Sequence, residues 1–502
     1  MSEAHSRPLY ERTARAGLWT VGGKLVGKGL DFVSLLVLAR FLGPAEFGLV
    51  AMAMTAVFIV EAVMDMPLGI VLLNIDEPTD AMFDTAYTLG VLRSLGIFII
   101  LAGLSWPLSM VYHEPRLIAL MCALSAAPAF RGLGSPRMVL FGKHFDFSRD
   151  FILDASGKVA SLIIASSIAI VTHSYWAIAA GTISTSVVMM IGSFIFAPHR
   201  PRFTLSHWHI FAHMVGWNAA SQVVVAINWQ IDRLLLPRFI DVATFGRFSS
   251  ADNLVAIPIQ AVVQPVTRPF MSAFAAMRQS DNLGNIYLKA SAGVTMIVAP
   301  ILLALAVLAL PIIKVILGHN WLATAPIMHW LALIGILTLP TVVMPALAQT
   351  LNRTHMVTAR VITELLVKVP AVLIGILILG LNGAILGRAF AAVAILLVTL
   401  FIVRNLISLS IADQCKAYAR PLLALVPMAA FYYACDVFVL AGDNVVYLLF
   451  NLVWVGSVGV AIYGGACLTI WALAGRPDGC EQLAVKFAGR LISKYLPQRV
   501  SI

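Results

Sequence analysis

Two stretches of the chain, LVLARFLGPAEFGLVAMA (residues 36–53) and LLLPRFIDVATFGRFSSA (residues 234–251), repeat the same pattern at a constant offset of 198. Pro67 and Pro265 keep the same offset further along. Such self-similarity predicts two structural units built on one plan. Eight of the eighteen aligned positions are identical: Leu36/Leu234, Leu38/Leu236, Arg40/Arg238, Phe41/Phe239, Ala45/Ala243, Phe47/Phe245, Gly48/Gly246 and Ala53/Ala251.

Apolar residues dominate the sequence around this repeat. The chain has 502 residues, of which 60% are hydrophobic and 12% are charged, and its mean hydropathy is +0.92. Compact soluble domains cannot bury that much apolar surface, so the solvent must be lipid. Because one crossing takes about 20 apolar residues, the length predicts an all-α integral membrane protein of about fourteen transmembrane helices, with no room for a large soluble domain.

The offset of 198 residues spans six predicted helices, an even number, so the two copies cross the membrane in the same direction. The sequence therefore predicts two parallel-repeat six-helix lobes related by a pseudo-two-fold axis, with a substrate site between them. The predicted parts are an N-lobe (1–200), a C-lobe (201–410), helices 13 and 14 (411–475) and a cytoplasmic amphipathic tail (476–502). The predicted helices cover 15–40, 46–73, 84–108, 116–134, 151–171, 175–197, 208–235, 244–272, 290–317, 324–349, 357–379, 382–403, 419–439 and 445–473.

Positive charges in the predicted loops are distributed unequally. Twenty Lys and Arg residues fall on the side of the two termini, whereas the opposite side holds only Arg116 and Arg238. By the positive-inside rule, both termini are predicted in the cytoplasm. The formal net charge of +10 is then explained by topology, and no nucleic-acid partner is expected.

Polar side chains recur on one face of four predicted helices, at depths where they are costly and mark pathways or paired contacts. Helices 1 and 7 occupy equivalent places in the repeat, and so do helices 2 and 8. We expect their polar faces to form an aqueous cleft between the lobes. The residues are Thr20, Lys24, Lys28 and Asp31 in helix 1; Glu61 and Asp65 in helix 2; Asn218, Gln222, Asn228, Asp232 and Arg233 in helix 7; and Gln260, Gln264 and Arg268 in helix 8.

Two interpretations of the charges in helices 1 and 2 stay open at this point. At 1.5 Å per residue, Lys28 and Glu61 lie at similar depths, roughly 20 Å and roughly 18 Å from the cytoplasmic ends of their helices. One interpretation is a structural ion pair, either Lys28 with Glu61 or Lys24 with Asp65. The other is that the ammonium groups meet an anionic substrate while the carboxylates carry a coupling proton or cation.

Motifs for cofactors fail in this sequence. The stretch GGKLVGKG (22–29) lacks the Ser or Thr and the preceding strand of a phosphate-binding loop, and its Gly23-x-x-x-Gly27 spacing favours close helix contact. The histidines of HWHIFAH (207–213) have no acidic or Cys partner nearby, and the five cysteines show no C-x-x-C spacing. We therefore predict no cofactor, no metal site and no catalytic residue.

The stretch LARFLGPAEFGLVAMAMTAVFIVEAVMDMPLGIVLL (38–73), with fourteen predicted helices and a six-helix repeat, resembles the polysaccharide-transport branch of the multidrug/oligosaccharidyl-lipid/polysaccharide exporter superfamily, the Wzx-type flippases. The resemblance implies a V-shaped pair of lobes in the bacterial inner membrane. It implies a non-enzymatic protein that moves a polyprenyl-diphosphate-linked oligosaccharide to the periplasmic leaflet by alternating access.

On this hypothesis Lys24 and Lys28, with Arg233 and Arg268, attract the diphosphate. A change of protonation at Asp31, Glu61, Asp65 or Asp232 then resets the transporter. The expected partners are the lipid-linked substrate and membrane lipids, with a polysaccharide polymerase and a chain-length regulator as further candidates. The protein is expected to be a monomer, because one chain supplies both lobes.

Three alternatives stay open. A flippase for the peptidoglycan precursor obeys the same physics, and a cation-coupled drug antiporter shares the superfamily. A membrane polysaccharide polymerase belongs to a different class, and the short predicted outward loops, about four to ten residues each, argue against it.

Overall fold

The structure is a computed structural model that describes residues 9–143, 146–280, 282–439, 444–476 and 479–482. Side chains are described for 22–143, 146–212, 223–280, 282–435, 444–476 and 479–482. Within these ranges the chain is helical and contains no β-strand. The predicted amphipathic tail beyond residue 482 and the side chains of Thr20, Asn218 and Gln222 lie outside the described residues.

The chain divides into two compact units, residues 1–249 and 250–502. The predicted lobes rest on the repeat rather than on packing, so their boundaries at residues 200 and 410 stay predictions. The first unit contains α1 (Leu9–Phe41), α2 (Pro44–Val63), α3 (Leu68–Asn74), α4 (Asp80–Tyr112), α5 (Arg116–Leu124), α6 (Ala126–Gly132), α7 (Val139–Lys143), α8 (Ser148–Thr172), α9 (Trp176–Phe196) and α10 (Trp208–Leu235).

The helix α11 (Val242–Ala276) runs across the division between the units. Short 3₁₀ helices are formed by Pro136–Met138, Leu236–Arg238, His319–Thr324 and Leu339–Thr341. The second unit continues with α12 (Leu283–Val307), α13 (Ala309–Ile316), α14 (Ala325–Thr338), α15 (Met344–Thr350), α16 (Thr354–Ile407), α17 (Ile411–Leu423), α18 (Leu425–Val439) and α19 (Val445–Leu473).

Eight helical segments in the described ranges are long and apolar enough to cross a bilayer, and the bent pair 116–132 and 136–143 raises this number to nine. One of the eight, α16, has 54 residues, about 80 Å at 1.5 Å per residue, which is far more than one crossing needs. The all-α membrane fold is thus confirmed, while the exact count of fourteen crossings stays a prediction.

The helix α16 is a hairpin of two helical arms. Gly380 adopts φ 58° and ψ −133°, a conformation open to glycine alone, and separates the arms. A Cβ on Gly375 would lie 2.1 Å from the carbonyl oxygen of Gly383, so the arms touch backbone to backbone just beside the turn. The sequence predicted these arms as separate helices, 357–379 and 382–403, and the turn between them is as expected.

One copy of the repeat is interrupted where the other is continuous. In the first copy α2 ends at Val63 and α3 begins at Leu68, with Pro67 at its N-cap. In the second copy Pro265 lies inside the continuous helix α11, so proline alone does not decide the interruption. The predicted helix 46–73 corresponds to the apolar segment Pro44–Asn74, which is long enough to cross a bilayer.

The start of predicted helix 13 at residue 419 is wrong. The observed helix α17 begins at Ile411, where the Ser410 hydroxyl caps it by accepting the Ala412 N–H at 3.2 Å. Hydropathy misses this first part because it is polar on one side. Its other side buries Gln414, Ala417 and Tyr418.

Candidate functional site

Two carboxylates lie at the end of α2, and each pairs with an arginine from another helix. Glu61 is in the last turn of α2, and Asp65 follows two residues after the helix ends at Val63. Glu61 Oε1 lies 2.8 Å from Arg131 Nη2, and Asp65 Oδ1 lies 3.4 Å from Arg93 Nη2. Arg93 also donates from Nε to the carbonyl oxygen of Met64 at 2.8 Å. This carbonyl lies where the helix is broken before Pro67, so Arg93 binds both the charge and the free backbone end.

These partners correct one interpretation of the sequence. A structural pair of Lys28 with Glu61, or of Lys24 with Asp65, is wrong, since Arg131 and Arg93 occupy those carboxylates. Depth along a helix gives the height of a charge but not the direction in which its side chain points. The two arginines lie on α4 and at the end of α6. Spacing along the sequence does not predict that these positions contact the end of α2.

Two glycines fix the positions of these arginines. A Cβ on Gly90 of α4 would lie 2.7 Å from the carbonyl oxygen of Gly132, and a Cβ on Gly132 would lie 2.9 Å from that of Gly90. Arg93 follows Gly90 by three residues, and Arg131 directly precedes Gly132. The close approach of α4 and α6 therefore places both guanidinium groups beside α2.

The lysines predicted to meet an anionic substrate are exposed. Lys24 and Lys28 lie on α1, and no ion pair joins either of them to a described side chain. The Gly23-x-x-x-Gly27 spacing does bring α1 close to α8: a Cβ at Gly23 would lie 2.9 Å from the Phe151 ring, and one at Gly27 would lie 2.9 Å from Asp154 Oδ2. Close contact through these glycines is thus confirmed.

A second charged cluster joins α1 to α8. Lys158 Nζ lies 2.9 Å from Asp31 Oδ2 and 3.6 Å from Asp154 Oδ2. Asp154 and Lys158 are four residues apart on α8, a spacing that brings two side chains together on one face of a helix. The contact of Lys158 with Asp31 was not predicted, because 127 residues separate the two.

The remaining predicted site residues are distributed over two helices. On α10, Asn228 and Asp232 are buried, and Arg233 is half-buried. On α11 Gln260 is half-buried, whereas Gln264 and Arg268 are exposed. Among the side chains that are described, no three His, Cys, Asp or Glu residues form a group that could hold a metal ion.

The two copies of the repeat touch within the first unit. A Cβ on Gly48 of α2 would lie 2.0 Å from the carbonyl oxygen of Val242, and a Cβ on Gly246 of α11 would lie 1.8 Å from that of Pro44. Pro44 and Val242 are themselves separated by 198 residues, as are Gly48 and Gly246. Each copy thus presents the same two backbone sites to the other, which is the signature of a local two-fold axis.

Comparisons with known proteins agree with this architecture. The family model described as polysaccharide biosynthesis protein matches residues 37–326. The succinoglycan biosynthesis transport protein ExoT of Rhizobium meliloti (strain 1021) is 26% identical over 332 residues, which cover 64% of this chain and 66% of that protein. The lipopolysaccharide biosynthesis protein WzxC of Escherichia coli (strain K12) is 24% identical over 340 residues, covering 66% of this chain and 68% of that protein.

Among solved structures, the inward closed conformation of the lipid II flippase MurJ superposes with a TM-score of 0.70 at 15% identity. The match covers 91% of this chain and 100% of the MurJ chain. The resemblance seen in residues 38–73 is therefore confirmed at two levels. The chain belongs to the polysaccharide biosynthesis protein family, and it has the fold of the multidrug/oligosaccharidyl-lipid/polysaccharide exporter superfamily.

Proposed function

We propose that this protein is a flippase that moves a polyprenyl-diphosphate-linked oligosaccharide repeat unit across the bacterial inner membrane, for exopolysaccharide or O-antigen synthesis. The observation that carries the proposal is the family match over residues 37–326, together with relatives named for succinoglycan transport and lipopolysaccharide biosynthesis. The aligned parts span about two thirds of those relatives. The activity of the whole protein is accordingly our inference.

Physical chemistry supports the same substrate class. A diphosphate with several sugars cannot enter hydrocarbon unaided, because its charges and hydroxyl groups lose their hydration. A transporter must therefore offer cations and hydrogen-bonding groups to the head of the substrate while the isoprenoid chain stays in lipid. Lys24, Lys28, Arg233 and Arg268 are the proposed cations, and Asp31, Glu61, Asp65 and Asp232 are the proposed coupling groups.

Alternating access requires a contact that can open. The backbone contact of Gly48 with Val242 and of Gly246 with Pro44 is a candidate, since no side chain lies between the two copies there. By the charge distribution, this contact belongs to the outer side of the membrane. We propose that it is closed while the site faces the cytoplasm and that it opens for release.

The test uses a strain that lacks the gene and has lost its surface polysaccharide. The wild-type chain should restore the polymer, and the double variant Lys24→Gln with Lys28→Gln should not, at equal protein level. Surface polymer unaltered in the double variant would reject the phosphate role of the lysines. The wild-type chain could instead fail to restore the polymer but support growth of cells that have lost their peptidoglycan-precursor flippase. That result would show that the substrate is the peptidoglycan precursor and not the proposed repeat unit.

A further inference from the structure

The arginine–carboxylate pairs at the end of α2 each have one exposed member. The side chain of Arg131 is 45% exposed and that of Asp65 is 46% exposed, while their partners Glu61 and Arg93 are 17% and 23% exposed. An anion can therefore reach Arg131 directly. It can reach Arg93 once the exposed Asp65 side chain turns away.

The geometry of the pairs suits an anion with several acceptor oxygens. The carboxylates are four residues apart in the sequence, and each holds one guanidinium group beside the end of α2. Guanidinium groups bind phosphate oxygens in a fork of two parallel hydrogen bonds, with the same donors that now bind the carboxylates. The Gly90 and Gly132 contact fixes α4 against α6, so both donors are placed before any ligand arrives.

This inference rests on the proposed function and adds residues to its site. We propose that Arg93 and Arg131 bind the diphosphate of the substrate, which displaces Asp65 and Glu61 from them. Each guanidinium group exchanges one anionic partner for another, so the two carboxylates compete with the substrate for the same donors. Release of the substrate restores both ion pairs.

Helices α5 and α10 also pack against α2. The cation of α5 is Arg116, which pairs with Glu114 at 2.8 Å. On α10, Asp232 and Arg233 lie shortly before Val242, which meets Gly48 toward the opposite end of α2 from Glu61.

The test measures binding of farnesyl diphosphate to the purified full chain in detergent. The double variant Glu61→Gln with Asp65→Asn removes both competing charges. It should therefore bind more tightly than the wild type.

The double variant Arg93→Gln with Arg131→Gln should bind at least about tenfold more weakly. A matched control is Arg137→Gln with Asp80→Asn, which removes another ion pair of the first unit, 2.6 Å long. The control should bind like the wild type. Thermal unfolding and gel filtration of each variant separate lost binding from lost folding.

Wild-type affinity in a folded arginine double variant would overturn the proposal. So would equal or weaker binding in the double variant Glu61→Gln with Asp65→Asn. These outcomes are distinct from failure of the proposed function, which is a wild-type chain that does not restore surface polymer. A chain that restores polymer but binds diphosphate independently of Arg93 and Arg131 rejects this site alone.

Discussion

At the scale of single residues, the ammonium group of Lys158 forms ion pairs with two carboxylates that lie on neighbouring helices. Lys158 of α8 lies between Asp154 on its own helix and Asp31 on α1, beside Gly27, whose missing side chain leaves room for the cluster. Because the Lys158 side chain is 21% exposed and the carboxylates are about half exposed, the cluster is only partly desolvated. We therefore expect the cluster to hold α1 against α8 while contributing only a small part of the free energy of unfolding.

We expect Lys158→Met to destabilise the protein by about 1 kcal/mol, because two carboxylates then face each other without a cation. The measurement is unfolding of the detergent-solubilised chain. In a double-mutant cycle, Asp31→Asn should recover part of the loss in the Lys158→Met background. Additive effects of the two changes would show that the 2.9 Å contact contributes nothing.

At the scale of elements, the repeat is held together by backbone rather than by side chains. The paired glycines let α2 and the start of α11 approach until carbonyl oxygens occupy the places where Cβ atoms would be. Any side chain there forces the helices apart. The same reasoning explains the turn of α16 and the contact of α4 with α6.

Gly48→Ala and Gly246→Ala should therefore have similar effects, since each places a Cβ within 2.0 Å of an equivalent carbonyl oxygen. We expect each to cost about 1–3 kcal/mol by overpacking of the closed contact, and to lower transport. Gly103→Ala is the matched control, because nothing lies within 4 Å of a Cβ at that helical position. Surface polymer and unfolding temperature are the readouts, and an effect at only one of the two paired glycines would contradict the local two-fold contact.

The segment after α19 docks onto the second unit through one ion pair. Glu481, whose side chain is 4% exposed, lies 3.3 Å from Arg420 of α17, and Cys480 packs beside Ala292, Ala417 and Met296. Burial raises the pKa of the Cys480 thiol to about 12, with Glu481 adding to the shift. The thiol is therefore protonated and slow to react near neutral pH.

Arg420→Ala should release this segment, because it leaves Glu481 buried without its cation. The expected result is labelling of Cys480 by a maleimide at least about tenfold faster, since the exposed thiol regains a more ordinary pKa. Mass spectrometry resolves each cysteine, and the exposed Cys415 serves as the internal standard. Lys416→Ala, on the same helix, should leave the labelling of Cys480 slow. Equal labelling rates of Cys480 in the wild type and in both variants would contradict the docking.

At the scale of the whole molecule, orientation rests on charge. Twenty Lys and Arg residues lie on the side of the termini and two on the other, so residues 74–83 are predicted inside and residues 112–115 outside. In this predicted orientation, the contact of Gly48 and Gly246 that we propose opens for release faces the periplasm.

In a chain without its native cysteines, His113→Cys should react with a membrane-impermeant maleimide in intact cells. Glu77→Cys should react only after the membrane is permeabilised. Both native side chains are exposed, so access to the protein surface does not limit either reaction. Reaction of Glu77→Cys in intact cells would reverse the predicted orientation and, with it, the side on which the glycine contact lies.

The sequence by itself determined what depends on composition and period. Hydropathy indicated the solvent and most helix bounds, and the offset of 198 residues identified Gly48 and Gly246 as equivalent positions of the two copies. Only the tertiary structure decided the partners of the buried and half-buried charges. Arg93, Arg131 and Lys158 reach their carboxylates across 28, 70 and 127 residues, and no local pattern fixes the direction of a side chain over such a separation. The physical reason is that hydropathy is summed along a helix, whereas an ion pair depends on how three helices rotate against one another at their glycine contacts.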